Sequence, residues 1–228
     1  MSSIQFDIEC GNLSNGNWFP AIVCFQRNNE MPKQYVLNEY FKVAEFCDEG
    51  TKKKVARVLS SPDGSTCDAK ECLMYLKRHS AGSTLYAYNL PHDLKTLAKV
   101  TGRDLVVSRY KNKKLGYSLE ITENHPWFYE EWFWKTVFPE ISHMNLFDIF
   151  AWTLNTCNPR IRELIPDGPG YGRYFLKEIH RALFPNERTA DLAHQADYDC
   201  KMSKDILEWF GENTIPKSYM CCTHMSTA

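Results

Sequence analysis

Residues 4–10 read Ile4-Gln5-Phe6-Asp7-Ile8-Glu9-Cys10. Ile4, Phe6 and Ile8 alternate with Gln5, Asp7 and Glu9, the period-2 pattern of a strand with one apolar face and one polar face. Acids are rarely buried without a partner, yet two stand here one residue apart. Residues i and i+2 of a strand share a face ~6.5 Å apart along the chain. Both carboxylates therefore leave the sheet side by side, and their repulsion raises one pKa unless a cation lies between them. Hard oxygen donors in that pose suit Mg²⁺ or Mn²⁺.

Working outward, Gly11 to Gly16 is a turn rich in Asn, Ser and Gly. Trp18–Arg27 reads as a second strand and Gln34–Asn38 as a short third. The polar stretch from Asp48 to Ser65, with Lys52-Lys53-Lys54 and Pro62-Asp63-Gly64, reads as a surface connection. A helix follows over Asp68–Ser80, with Cys72, Leu73 and Leu76 on one face and Thr66 as its expected N-cap. Ser83–Asn89 is the next strand. Pro91 in the first turn and Gly102 just past the end bracket a helix between them. Two strand-like runs flank Lys111-Asn112-Lys113-Lys114, giving a hairpin with a basic tip in which Arg109, Lys111, Lys113 and Lys114 are candidates for tracking phosphates. Met144–Leu154 reads as strand into helix, and Gly170–Phe184, with Leu176, Ile179 and Leu183 on one face, and Ala196–Phe210 as two helices. Strands first, then alternating strand and helix, predict an α/β fold: a mixed β-sheet with helices packed on it.

The 228 residues are 43% hydrophobic, 24% charged and 14% aromatic, enough apolar material for one domain with a substantial core. That domain is expected over residues 1–212, with an aromatic-rich insertion near 112–143 and a C-terminal tail at 213–228. No apolar run reaches the ~18 residues of a membrane span and no export signal is visible. An intracellular protein, cytoplasmic or nuclear, with no membrane partner is expected. The nine cysteines are odd in number and irregularly spaced, so they read as reduced thiols. Cys221, Cys222 and His224 lack the paired spacing of a structural zinc site. A formal net charge of −1 is too acidic for a protein that grips nucleic acid by side-chain charge alone. If nucleic acid is the ligand, something other than net side-chain charge must meet the phosphates, a role bound metal ions could fill.

Two further acidic elements belong with the first. Asp93 falls in the first turn of the predicted helix after Tyr88-Asn89-Leu90-Pro91-His92, where the backbone dipole tolerates an anion. Asp199 lies in His194-Gln195-Ala196-Asp197-Tyr198-Asp199, on the approach to the last long helix. Together these resemble the DnaQ-like 3′→5′ exonucleases, the DEDDh branch of the RNase H-like superfamily. Phe6-Asp7-Ile8-Glu9 matches the family's Asp-x-Glu motif, Asn89 to Asp93 its Asn-x-x-x-Asp motif, and His194, Ala196 and Asp199 its His-x-Ala-x-x-Asp motif. The resemblance runs over residues 4 to 210. "FDIEC" and "YNLPHD" also look like the first two exonuclease motifs of family B DNA polymerases. Those use Tyr-x-x-x-Asp in the third motif, where this chain has Gln195 four residues before Asp199.

The resemblance implies an RNase H-like sheet with helices on both faces, and two divalent ions, Mg²⁺ or Mn²⁺, held by Asp7, Glu9, Asp93 and Asp199. It implies His194 as the base that activates water. Single-stranded DNA or RNA 3′ ends would be the substrate. The terminal nucleotide would rest on the loop after the first strand, with Cys10 and Gly11 near the 3′-hydroxyl, Leu13 against the last base, and Asn89 supporting the second motif or touching substrate. Asp148, in "LFDIF", falls outside the catalytic set. Trp127, Phe128, Tyr129, Trp132, Phe133 and Trp134 form a dense aromatic block able either to stack unpaired bases or to fill a core. Two other readings stay open. One is a nucleic-acid-binding module on an exonuclease fold with little catalysis. The other is an interaction protein that docks a partner on its aromatic block.

Overall fold

A computed structural model describes residues 2–103, 105–107, 119–120, 125–166, 172, 174–211 and 216–220. The elements run β1 (Ser2–Asn12), β2 (Trp18–Arg27), β3 (Lys33–Leu37), α1 (Glu49–Ser60), β4 (Ser65–Cys67), α2 (Ala69–Arg78), β5 (Ser83–Ala87), α3 (Leu90–Thr101), β6 (Val106–Val107), β7 (Leu119–Glu120), α4 (Glu131–Val137), β8 (Asn145–Asp148), α5 (Ile149–Asn155), α6 (Asn158–Leu164), α7 (Leu176–Leu183) and α8 (Ala196–Phe210). Among the described residues the main sheet has six strands in the order β4-β3-β2-β1-β5-β8. β1, β2 and β3 are antiparallel neighbours, whereas β5 and β8 continue parallel to β1. Among the described residues the sheet is therefore mixed, with β4 added parallel to β3 at the far edge.

The alternation in β1 sorts the two faces. Ile4, Phe6 and Ile8 join Val23 and Phe25 of β2 under α2, α3 and α4. On the other face Ile22 and Cys24 pack with Val55 and Val58 of α1 and with Ala196 and Cys200 of α8. Helices therefore cover both faces, as expected. A third cluster joins β8 to α5, α6, α7 and the end of α8 through Phe147, Trp152, Ile179 and Phe210.

Several expectations are corrected. The polar stretch read as a surface connection contains helix α1. Asp48 caps it by accepting the Thr51 backbone N–H at 2.6 Å, and Thr51, Val55 and Val58 are its buried face. Three consecutive lysines hide that i, i+4, i+7 spacing. Helix α2 is capped by Asp68 rather than Thr66, in a reciprocal capping box with Glu71. The aromatic block is mainly core: Phe133, Trp134 and Phe138 are fully buried and Phe128 nearly so. The Trp134 indole N–H donates to the Phe128 carbonyl at 2.7 Å, satisfying the one polar atom that burying a tryptophan strands. Stacking of unpaired bases on these four rings is thereby ruled out, and Trp127, Tyr129 and Trp132 are half-buried against the same cluster.

Residues 218–220, expected in a tail, lie along β8. Tyr219 exchanges backbone hydrogen bonds with Leu146 and Asp148 at 2.9 and 2.8 Å, so the packed chain extends past residue 212. The basic hairpin tip (Arg109, Lys111, Lys113, Lys114) and Cys221, Cys222 and His224 fall outside the described residues. The seven described cysteines are free thiols. No described helix is long and apolar enough to cross a membrane.

Candidate active site

β1 outruns its partner. Pairing with β5 stops at Gln5↔Tyr86, so Asp7 and Glu9 project beyond the end of the parallel strands, where open α/β sheets bind ligands. The uncovered backbone N–H of Ile8 finds an acceptor in Asp93, from the first turn of α3. That turn starts from Asn89, held in the left-handed region at φ 71°. Asp148, at the end of β8, accepts the Asn89 backbone N–H at 3.0 Å and caps α5 by accepting from Phe150 at 3.1 Å. It thus fixes the turn that aims Asp93.

Asp199 arrives from the opposite face. Cys200 packs beneath Cys24, the register partner of Asp7, and this sets the first turn of α8 over the acidic end of β1. The His194 backbone N–H donates to both Asp199 oxygens, at 3.1 and 3.2 Å. Making that contact places His194 at φ 65°, with its ring exposed. Ring and carboxylate atoms of Glu9, His194 and Asp199 lie within 4.8 Å of one another.

The four acids oppose one another's charges. Burial, then the charges of Asp199, Asp93 and Glu9, push the Asp7 carboxyl well above the ordinary range. Asp93 is raised by burial first, with Asp148, Glu9 and Asp199 adding to it. Burial and Glu9 bring Asp199 to about 7 despite its hydrogen bonds from His194. Asp148 is raised by burial to about 6. Lys54 of α1 supplies a cation, with Nζ 2.9 Å from Glu9 Oε2. Asp7 Oδ2 and Asp93 Oδ2 remain buried with no hydrogen-bond partner among the described residues. Two orphaned carboxylate oxygens in a four-acid cluster are a costly arrangement unless a cation joins them. The donor set, all hard oxygens beside one imidazole, fits Mg²⁺ or Mn²⁺.

Asp7 and Asp199 open into a cleft of about 430 Å³, also lined by Tyr88, Asn89, Phe150, Phe175, Leu176, Lys177, Ala193 and His194. That volume lies in the range of small-ligand pockets. The Tyr88 hydroxyl donates to the Tyr174 carbonyl and anchors the start of α7 over the opening. Of the residues expected to touch substrate, Asn89 lines this cleft. Cys10, Gly11 and Leu13 do not, and the loop expected at their position is strand: Cys10 pairs with Pro20 and Gly11 with Phe19, past a bulge after Glu9. A Cβ on Gly11 would fall 2.3 Å from Thr51 Cγ2, so this glycine admits α1 to the sheet. Burial and the nearby acids push the Cys10 thiol up to about 12, far from a reactive thiolate. Leu13 bridges to Cys47 and packs against the cluster under α1. Sequence reasoning does not reach Lys54, Lys177, Phe175 or the role of Asp148, because no spacing links α1 or α7 to the acids.

The raised carboxyls carry a signed consequence. Between pH ~4, where these acids titrate when unfolded, and pH ~7, where Asp199 titrates when folded, the native state binds more protons than the unfolded one. Stability of the metal-free protein therefore falls as pH rises through this window. Metal binding needs the same groups deprotonated. We expect Mg²⁺ or Mn²⁺ at ~100-fold excess over Kd to raise the melting temperature by about 5–10 °C at pH 8. At pH 5 the rise should be much smaller. Thermal scans with metal and with chelator measure both, and an equal rise at the two pH values would count against metal on these acids.

No family model matches the sequence, and no curated protein is found similar to it. Among solved structures the chain is similar to exonuclease I, in a structure described as suggesting how processivity is achieved, at TM-score 0.48 and 12% identity. It is also similar to Escherichia coli exonuclease I in complex with a dT13 oligonucleotide, at TM-score 0.49 and 11% identity. Each alignment covers 91% of this chain and 40% of the other. The chain thus spans two fifths of the length of those proteins.

Proposed function

We propose that the protein is a metal-dependent 3′→5′ exonuclease that hydrolyses single-stranded DNA or RNA from its 3′ end and releases nucleoside 5′-monophosphates. The observation that carries this reading is the convergence of Asp7, Glu9, Asp93 and Asp199 from β1, α3 and α8, two of them with buried, unpartnered oxygens. Four carboxylates are more negative charge than one divalent ion neutralises, so Asp7, Glu9, Asp93 and Asp199 would suit two divalent ions together with a substrate phosphate. Divalent ions bound there supply charge relief at phosphorus and a nucleophile at neutral pH.

The chain's own residues perform the rest. His194, exposed at the cleft and fixed through its backbone to Asp199, accepts a proton from the attacking water. Lys177 meets a phosphate oxygen of the scissile nucleotide from the start of α7. Tyr88, Phe150, Phe175 and Leu176 form apolar walls for the terminal base and sugar. Asn89 orients the sugar end while its backbone holds the turn into α3. Hydrolysis breaks the bond between phosphorus and the 3′-oxygen of the preceding nucleotide, which leaves with a proton.

A 5′-labelled oligonucleotide incubated with Mg²⁺ or Mn²⁺ should give a descending ladder of products one nucleotide apart, abolished by chelator. Binding with no ladder in either metal would sink the proposal in favour of a binding module. Parallel DNA and RNA substrates read the sugar preference, which depends on 2′-hydroxyl contacts.

A further inference from the structure

A second feature lies beside the acids and takes no part in lining their cleft. Trp18 opens β2 and pairs with Asn12 at the end of β1. Its indole is half-exposed. The His92 ring lies 5.3 Å from it, inclined at 34°. Lys99 Nζ stands 4.9 Å from the ring centroid and 3.4 Å from the Trp18 carbonyl oxygen. His92, Lys95 and Lys99 fall at i, i+3 and i+7 of α3 and so share one side of that helix. Lys95 and Lys99 feel each other's charge.

We propose that Trp18, His92 and Lys99 form a second nucleotide subsite, which stacks a base of the single strand trailing the terminal residue and pairs its phosphate with Lys99. This deepens the exonuclease reading and rests on it. The platform is built on the elements that carry the acids: His92 precedes Asp93, and Asn12 lies three residues, ~10 Å, beyond Glu9 along β1. The platform thus takes a base upstream of the bond being cut, on the strand that trails the terminal nucleotide. A stacked base displaces the Lys99 ammonium from the indole face, and the freed cation is then within reach of the adjoining phosphate. The chemistry fits nucleic acid because it offers a π-face and a cation together, on a protein whose net charge of −1 provides no general attraction for phosphates.

Binding of a 5′-fluorescent dT12 to the metal-free protein, read by anisotropy, tests the subsite without any need for turnover. Trp18→Ala should weaken binding about tenfold. Trp18→Phe, which keeps a ring, should recover most of it. Lys99→Gln should lower the slope of log K against log salt by about 0.7, the loss of one phosphate contact on a single strand. Equal affinity in wild type and Trp18→Ala, or an unchanged salt slope in Lys99→Gln, would overturn the subsite. In turnover, Trp18→Ala should raise KM for dT12 about tenfold with kcat kept, and leave a dinucleotide, too short to reach, within twofold. Equal losses on both substrates would make Trp18 merely structural and overturn the proposal. If dT12 binds through Trp18 but is never cleaved, the exonuclease reading fails and the subsite stands. If dT12 is cleaved and Trp18→Ala changes nothing, the reverse holds.

Discussion

Asp7→Asn is expected to abolish hydrolysis and, at the same time, to raise the melting temperature of the metal-free protein. The two effects have one cause. Asp7 lies in a partly buried position where Asp199, Asp93 and Glu9 all oppose its charge, and its Oδ2 has no hydrogen-bond partner among the described residues. Asparagine removes the charge, keeps the shape, and offers an amide N–H₂ to the neighbouring carboxylates. A gain of about 1–2 kcal/mol, or roughly 2–8 °C for a chain of this size, is expected at pH 8. It should shrink as pH falls, because burial and the neighbouring charges already favour the protonated form of Asp7. Hydrolysis should drop by about a thousandfold or more, since a neutral amide does not hold a cation against a developing negative charge. Thermal scans and single-turnover assays on one preparation check both. A variant that loses stability would make Asp7 a structural acid. One that keeps its activity would move the reaction away from this cluster.

The second large effect is expected at His194, and the choice of substitution matters. The residue sits at φ 65°, where alanine is strained but asparagine is tolerated. His194→Asn therefore removes the imidazole while keeping the backbone that donates to Asp199. Loss of a general base costs typically 10²–10⁴-fold. The ring also lies within 4.8 Å of ligand atoms of Glu9 and Asp199, so a metal-ligand role is the competing explanation. Mn²⁺ titration of His194→Asn separates them. Unchanged affinity with lost turnover identifies the base, whereas a parallel fall in affinity identifies a ligand.

Both effects depend on acids that are legible in the amino-acid sequence. The alternation of Ile4, Phe6 and Ile8 with Asp7 and Glu9 is local, because strand periodicity is a property of the backbone and needs no tertiary information. The brackets of α3, Pro91 and Gly102, are local for the same reason, and Gly102 does take the left-handed conformation at φ 66°. Helix α8 begins and ends where its spacing predicts, at Ala196 and Phe210. The failures are equally specific. α1 escapes a reading by periodicity because its buried residues, Thr51, Val55 and Val58, are few and separated by lysines. Leu13 and Gly11 read as part of a substrate loop, yet Gly11 continues the strand, because β1 keeps pairing with β2 up to Asn12.

What the sequence alone determined is the list of acids, the elements that carry them, and the alternating strand that puts Asp7 and Glu9 on one face. Those follow from 2.0- and 3.6-residue periods acting over a few neighbours. What only the tertiary structure decided is which groups meet across long separations. Phe128, Phe133 and Trp134 turned inward to a core rather than outward to a ligand, and Lys54 reached Glu9 from a helix 45 residues away. Asp148 took hold of the turn that aims Asp93, and Lys177 came to the cleft that Asp7 lines. Such pairings are set by how layers pack and where strands stop pairing, and a one-dimensional period carries no record of either.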